Sequence, residues 1–494
     1  MMSTQKKNVR HSFFIRYKAT LIAAIASGLY PVLFYYTNNF SLINSWKHLG
    51  FFICFFLLAP IITFIGADML FKRPSLQKWN KHIVPFLNVF AFLLFIQLCI
   101  YAKLQVWFTL GIILISLLFA RFLYRLLSKL VVIQFLLAII SLFWLFPIVK
   151  NQLMYSSTWM QQPDNIEAVV FKKRPNIYYI QPDGYVNFSE IDKGYYRLDD
   201  DDFKNYLLES KFTLYPGVRS NYTSTLVSNS ATFAMKHHYY NNGFNFSEIA
   251  NAREVIVSDN PVLRIFNNNN YKTHFLAEWG YILTNFPKMG YDVCNFDYKE
   301  MSFISEGFET EQDVMAPLET YIQEDPDRQK FFFIEIFKPG HVESKKHKTT
   351  GIVAEKELYI SNLKMAHEKL KNVINLIQEK DPDALIMIMA DHGGYVGFEY
   401  MLEIRKNTTD RDKLYSAFST NLAIKWPEGM PLEFDPNFQT GVNVFRTLFS
   451  YLSEDTSYLE HLQDDGSYTI INEGAPKGIY KVIDSNGNIT FKKQ

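Results

Sequence analysis

The chain has 494 residues, of which 48% are hydrophobic and 20% charged, with a formal net charge of +1. Its length implies two or three domains, and the near-neutral total hides an uneven split. Residues 1–150 hold fifteen Lys/Arg and a single acid, Asp68, for a net +14; residues 151–494 hold thirty-five Lys/Arg and forty-eight Asp/Glu, for a net −13. This excludes a disordered chain, a collagen-like chain and a wholly soluble protein, and the acidic second half argues against nucleic acid as a partner.

The first 150 residues read as an α-helical membrane domain. Five apolar stretches, at about 19–37, 49–71, 82–102, 106–124 and 130–149, each approach the ~20 residues needed to cross a hydrocarbon core. A cleavable signal would need only one. Basic residues set the expected orientation. The N-terminal tail (Lys6, Lys7, Arg10, Arg16, Lys18), the second connection (Lys72, Arg73, Lys78, Lys81) and the fourth (Arg121, Arg125, Lys129) lie on one side. Only Lys47, Lys103 and Lys150 lie on the other. The basic side is expected to be cytoplasmic, so an odd number of spans puts residues 151–494 outside the cytoplasm. Asp68, beside Lys72 and Arg73, is read as an interfacial carboxylate without a role of its own.

Cys54 and Cys99 fall within expected spans and Cys294 is alone in residues 151–494, so a hydrophobic core, not an internal disulfide, must hold that half. Its pattern alternates strand and helix. Ile177–Ile180, Tyr271–Leu276, Phe331–Phe337, Ala384–Ala390 and Asn421–Trp426 are short apolar runs. Asp202–Ser210, Ala354–Glu379 and Val442–Leu452 have helical spacing. Unbroken apolar strands separated by helices imply a sheet covered on both faces, an α/β/α sandwich. The Asn-Gly at 486–487 marks a terminal hairpin.

Sites in such sheets gather at the carboxyl ends of strands. Asp183 follows the first run, in QPDG, and Asp391-His392 follows a later one, in ADHGG. Two acids and an imidazole can bind a divalent cation if they converge, although Asp-Gly and Asp-His-Gly are also ordinary turn sequences. SNYTSTLVSNSATFAM, residues 220–235, places hydroxyls just before a helix, where N–H groups and the helix dipole favour an anion. A helix cap is the structural alternative.

Together these segments resemble the sulfatase-like branch of the alkaline phosphatase superfamily, and in particular membrane-anchored phosphoethanolamine transferases and lipoteichoic acid synthases. The likeness rests on IYYIQPDGY, SNYTSTLVS, FFFIEIFKPGH, the long helix and LIMIMADHGG, in that order, with FSTNLAIKWP and TGVNVFRTLFSYL following. It implies a fold of the alkaline phosphatase/sulfatase type over residues 151–494, behind a five-helix membrane domain over 1–150. It implies Thr225 as nucleophile, with Ser228 completing a T-S-T-x-x-S pattern, and Asp183, Thr225, Asp391 and His392 as ligands of one divalent metal, zinc or manganese. It implies His341 as the group that holds the substrate phosphate or protonates the leaving group, and Trp279 as a substrate-lining aromatic.

The C/S-x-P-x-R motif that sulfatases convert to formylglycine is absent around Thr225, which points to phosphoryl chemistry. The implied reaction moves a phospholipid head group to an envelope glycan or lipid through a phosphothreonine. The implied partners are a membrane phospholipid or lipid-linked glycan and the bilayer, in a bacterial-type cytoplasmic membrane. An ester hydrolase and a non-catalytic envelope scaffold are the alternatives. His347, in a Lys-rich stretch, and the pair His237-His238 are expected at the surface, with one of the pair facing the site as the alternative.

Overall fold

In the computed structural model, residues 1, 199–200, 241–248, 428–433 and 435–436 and the side chains of residues 2–16 lie outside the described residues, among them the tail residues Lys6, Lys7, Arg10 and Arg16. The chain forms two units. One comprises Met1–Tyr155 with Thr284–Phe286 and Ser302–Glu306; the other comprises Ser156–Leu283, Pro287–Met301 and Gly307–Gln494.

Among the described residues of the first unit, four helices are long and apolar enough to cross a membrane: Tyr17–Ile43, Trp46–Phe71, Gln77–Tyr101 and Val106–Leu153. The last has 48 residues, a rise of about 70 Å at 1.5 Å per residue, more than twice the ~30 Å of a hydrocarbon core. It is interrupted by a π-helical segment at Phe119–Leu123 and a 3-10 turn at Tyr124–Leu126, where Arg121 and Arg125 stand. It therefore carries both of the last two apolar stretches. The chain is a multi-pass membrane protein.

Several buried polar side chains of this unit pair with one another or with backbone, as hydrocarbon favours. Asn88 donates to the carbonyl of Ala23 at 2.8 Å and pairs with Gln134 at 3.0 Å. Asp68 accepts from Thr20 and from Lys72, each at 2.9 Å. That pairing accounts for the one acid of the segment.

The second unit is built on a seven-stranded sheet. Its strands are β1 (Ile177–Pro182), β2 (Thr213–Leu214), β3 (Lys272–Ala277), β4 (Val293–Cys294), β5 (Lys330–Ile336), β6 (Leu385–Met389) and β7 (Leu422–Lys425). They lie in the order β2-β7-β6-β1-β5-β3-β4. β4, β3, β5, β1 and β6 are parallel, while β7, between β6 and the edge strand β2, is antiparallel to both of its neighbours. A separate antiparallel sheet of β8 (Ser467–Ile471), β9 (Gly478–Ile483) and β10 (Ile489–Lys493) ends in the expected hairpin, closed by the amide of Asp484 donating to Asn488 O at 2.9 Å.

The apolar strands are unbroken because both faces of the sheet are covered. Alternate residues divide cleanly. Ile177, Tyr179, Phe331, Phe333, Leu385 and Met387 pack with the helices Thr225–Ala234, Pro261–Asn268 and Gly441–Ser453. Tyr178, Ile180, Phe332, Ile334, Ile386 and Ile388 pack with Asp202–Glu209, Met315–Gln323 and Ile352–Lys380. The α/β/α sandwich is the observed architecture. The expected elements begin and end within one or two residues of the sequence expectation; the helices Ala252–Val257, Pro261–Asn268, Met315–Gln323 and Arg411–Phe418 were not anticipated, and the two-residue strands β2 and β4 are too short to leave a pattern.

His237 and His238 are not at the surface. Both are buried, drawn in by an aromatic cluster: His238 stacks on Tyr222 with ring centroids 4.0 Å apart, and His237 bonds the Tyr222 hydroxyl at 3.0 Å. Burial lowers their pKa values to about 4 and about 3 respectively. In the unfolded chain they bind protons near pH 6.5, so the unfolded state takes up protons first as pH falls. Thermal stability of the solubilised protein is therefore expected to drop between pH 6.5 and 4, by on the order of 3 kcal/mol per histidine. His238→Gln should flatten that slope; an unchanged slope would count against a buried neutral pair. His347 is exposed, as expected.

Candidate active site

Three parallel strands deliver their following residues to one end of the sheet. Asp183 comes directly after β1: its amide donates to Ile336 O at 2.8 Å, and its carbonyl accepts from the amide of Gly340, also at 2.8 Å. Gly184 has φ +67°, and a β-carbon there would stand 2.1 Å from Gly340 O. The Asp-Gly is thus a turn, as its composition suggests, but one pressed against the loop that carries His341. Asp391 and His392 follow β6. A β-carbon on Gly394 would lie 2.1 Å from the Tyr359 ring, and the Tyr359 hydroxyl in turn donates to Gly184 O at 3.0 Å. The two glycine turns are therefore packed through a common tyrosine.

Thr225 is the first residue of the helix Thr225–Ala234. Ser224 holds the cap position in an extended conformation, and its side chain makes no capping bond. The Thr225 hydroxyl instead donates to Asp183 Oδ1 at 3.1 Å and lies 3.5 Å from His392 Nε2. Ser228 ties the segment together, its hydroxyl donating to Tyr222 O at 3.0 Å.

Asp183, Asp391 and His392 are all buried, and one ligand atom from each lies within 4.8 Å of the others. His392 Nδ1 pairs with Gly393 O at 2.9 Å, which fixes that nitrogen as the protonated one. Nε2 then faces Asp391 Oδ2 at 3.4 Å and Asp183 Oδ1 at 3.5 Å. Asp391 Oδ1 accepts from the amides of Gly184 and His392, at 3.2 and 3.0 Å, whereas its buried Oδ2 accepts no hydrogen bond. Burial pushes the Asp391 carboxyl up to about 6. Burial opposes charge on His392 too, but the carboxylates of Asp391 and Asp183 outweigh it and raise its pKa. Two carboxylates, a lone-pair nitrogen and an orphaned buried oxygen facing one point fit a divalent cation.

His341 is half-buried, its ring 5.6 Å from that of His392 and 6.2 Å from that of Tyr395. Nδ1 pairs with Val342 O at 2.6 Å, and burial lowers its pKa. Trp279 follows β3, two strands away from β1, and its ring meets Phe308 at 6.1 Å. No ring contact or hydrogen bond joins it to Asp183, Thr225, Asp391 or His392 among the described residues. The structure brings five of the six expected residues together and leaves Trp279 apart.

Further groups at this end escaped sequence reasoning. Tyr395, fully buried, packs its ring on His341 and His392 and donates to Thr223 O at 2.5 Å, joining the ADHGG turn to the threonine segment. Its place directly after ADHGG was a usable signal. Gln181 and Glu335 are register partners on β1 and β5, and the side chains of both, like that of Asn229, are buried without a hydrogen-bond partner among the described residues. Burial first, then Asp183 and Asp391, pushes the Glu335 carboxyl well above its usual range. A lone acid in the apolar run FFFIEIF was the signal for it.

A family model described as Sulfatase matches residues 203–453, just over half of the chain. No curated protein matches. Among solved structures, the integral membrane protein lipooligosaccharide phosphoethanolamine transferase A of Neisseria meningitidis is 13% identical, with 88% of this chain and 95% of that one covered and a TM-score of 0.39. The periplasmic domain of EptC from Escherichia coli, solved in complex with Zn, is 12% identical, with 64% and 94% covered and a TM-score of 0.41. A protein of Bacteroides thetaiotaomicron concerned with glycosaminoglycan metabolism is 11% identical, with 65% and 89% covered and a TM-score of 0.39. Likeness this slight transfers no residue role, and membership rests on the family model. The chain belongs to the Sulfatase family and is a membrane-anchored enzyme of the sulfatase-like branch of the alkaline phosphatase superfamily.

Proposed function

We propose that this enzyme moves a phospholipid head group, of the phosphoethanolamine or phosphoglycerol type, to an envelope glycan or lipid through a phosphothreonine on Thr225. The observation that carries the reading is the Thr225 hydroxyl at a helix N-terminus, 3.1 Å from Asp183 Oδ1 and 3.5 Å from His392 Nε2. A hydroxyl is a weak nucleophile unless its proton is drawn away. A divalent cation held by Asp183, Asp391 and His392, with Thr225 as a further ligand, supplies the positive charge that favours the alkoxide and offsets charge on the phosphoryl oxygens.

The protein's own groups divide the remaining work. Asp183 accepts the hydrogen bond of Thr225 and orients Oγ1 for attack. Attack forms the Thr225 Oγ1–phosphorus bond and breaks the bond to diacylglycerol; the proton lost from the threonine balances the one gained by the lipid alcohol. With Nδ1 donating to Val342 O and charge disfavoured by burial, His341 Nε2 is a proton acceptor at neutral pH. That suits it to take the proton of the incoming acceptor hydroxyl in the second half-reaction. Trp279, at the end of β3, is the more distant candidate for contact with the substrate.

The membrane anchor supports a membrane-borne donor, since tethering raises the effective concentration of enzyme toward lipid and does nothing for a soluble ester. The charge asymmetry of residues 1–150 supports a cytoplasmic N-terminus and an extracytoplasmic catalytic unit. A scaffold has no use for ligand-type groups left unpaired in its core. Purified full-length enzyme given phospholipid labelled in its head group is expected to place label on a glycan or lipid acceptor. Free head group as the main product, with acceptor present, would favour the hydrolase instead.

A further inference from the structure

The second unit contains nine arginines, and one differs from the rest. Arg446 pairs with Asp164, Arg411 with Glu190, and Arg264 with Glu167 and Asp259. Arg174, Arg219, Arg253 and Arg328 donate to backbone carbonyls, and Arg197 is exposed. Arg405 is half-buried, yet its guanidinium has no hydrogen bond and no carboxylate among the described residues. The basic residues near it in sequence are paired: Lys406 with Glu473, and Lys413 with Glu403. Removing a charge from water without a partner costs free energy, and burial draws the pKa of Arg405 downward. A guanidinium kept in this state has its planar fork of donors free for an oxyanion.

Its position ties it to the reaction centre. Arg405 ends the 3-10 turn Met401–Arg405, and its carbonyl accepts the amide of Asn472 at 3.0 Å, so its backbone is held by the chain leaving β8. Its electrostatic neighbours are the phenols of Tyr240 and Tyr395. The Tyr240 hydroxyl lies 3.4 Å from Thr223 Oγ1, and Thr223 is two residues before Thr225. Tyr395 contacts His341 and His392 with its ring, and its hydroxyl donates to Thr223 O. The turn that Arg405 ends is joined to the chain just after His341, the amide of Met401 donating to Glu343 O at 2.9 Å, which places this turn beside the loop that carries His341.

We propose that Arg405 is the anchor of an anion subsite beside the reaction centre, which binds a second oxyanion (phosphate, sulfate or carboxylate) carried by a substrate on a part that does not react. The proposal rests on the phosphoryl-transfer reading of the neighbouring site and adds a specificity-determining residue to it. The second anion belongs either to the head group being transferred or to the acceptor, and the two sources separate by experiment.

For the donor, full-length enzyme in detergent is given two 4-nitrophenyl phosphodiesters whose second alcohol is ethanol or 3-hydroxypropionate. Attack by Thr225 forms an oxygen–phosphorus bond and breaks the bond to 4-nitrophenolate, which is read directly. For the acceptor, glycerol and glycerol 3-phosphate are compared for their acceleration of turnover. Arg405→Ala is expected to lower the preference for the anionic member of one pair, as a ratio of kcat/KM, by at least about tenfold, carried mainly by KM. Arg405→Lys, which keeps the charge without the fork, should recover part of it at an unchanged melting temperature. A preference unchanged in both pairs overturns the subsite. Thr225→Ala is the separate control: nitrophenolate release that survives it would overturn the reading of the reaction centre and not that of Arg405.

Discussion

Thr225→Ala is expected to abolish head-group release while leaving the fold intact. Removing a nucleophile from a concerted set costs on the order of 10⁴–10⁶ in kcat, and the deleted hydroxyl bonds only site groups, Asp183 at 3.1 Å and His392 at 3.5 Å. Thr225→Ser should retain measurable turnover, since it keeps the oxygen at the helix N-terminus. The check is diacylglycerol released from phospholipid in detergent, measured beside a melting curve. Activity within tenfold of wild type in the alanine variant would mean that water, not the threonine, attacks the ester.

The second large effect is expected at Asp391. Its Oδ2 is buried and accepts no hydrogen bond, and burial pushes the carboxyl up to about 6. Without metal, the carboxylate is a liability to the fold; as a ligand of the proposed metal it would be stabilising. Binding to the native state raises stability by RT ln(1 + [L]/Kd), about 2.7 kcal/mol at a hundredfold excess over Kd. Wild-type enzyme stripped of metal should therefore gain melting temperature when zinc or manganese is added. Asp391→Asn, of the same shape but neutral, should melt no lower than stripped wild type, gain nothing from either metal, and lose turnover. A metal-dependent rise that survives in Asp391→Asn would place the cation elsewhere.

Much of the architecture was legible because the parallel strands are covered on both faces, so Phe331–Ile334 and Leu385–Met389 read as unbroken apolar runs. Where such a run stops at polar residues, as at Asp183 and Asp391-His392, the strand end is visible in the sequence itself. Thr225 was harder, because a hydroxyl at the start of a helix has a structural explanation available; only the side chain of Ser224, which makes no cap, and that of Thr225, turned to Asp183, separate the two. His237 and His238 illustrate the opposite failure. Two histidines in a loop look solvated until Tyr222 and Tyr468, outside that loop, enclose them together with the neighbouring Tyr240. Gln181, Asn229 and Arg405 were illegible for a related reason. A polar residue without a partner is defined by what fails to reach it, and that depends on strand register and helix placement across the whole unit.

The account stands on Thr225 becoming phosphorylated during turnover. Intact-protein and peptide mass spectrometry of the enzyme, quenched after exposure to phospholipid without acceptor, reads this directly. The expected result is a head-group phosphate adduct on Thr225, lost when acceptor is added and absent in Thr225→Ala. Diacylglycerol released in stoichiometric excess with Thr225 unmodified at every quench time, or an adduct on another residue, would contradict it.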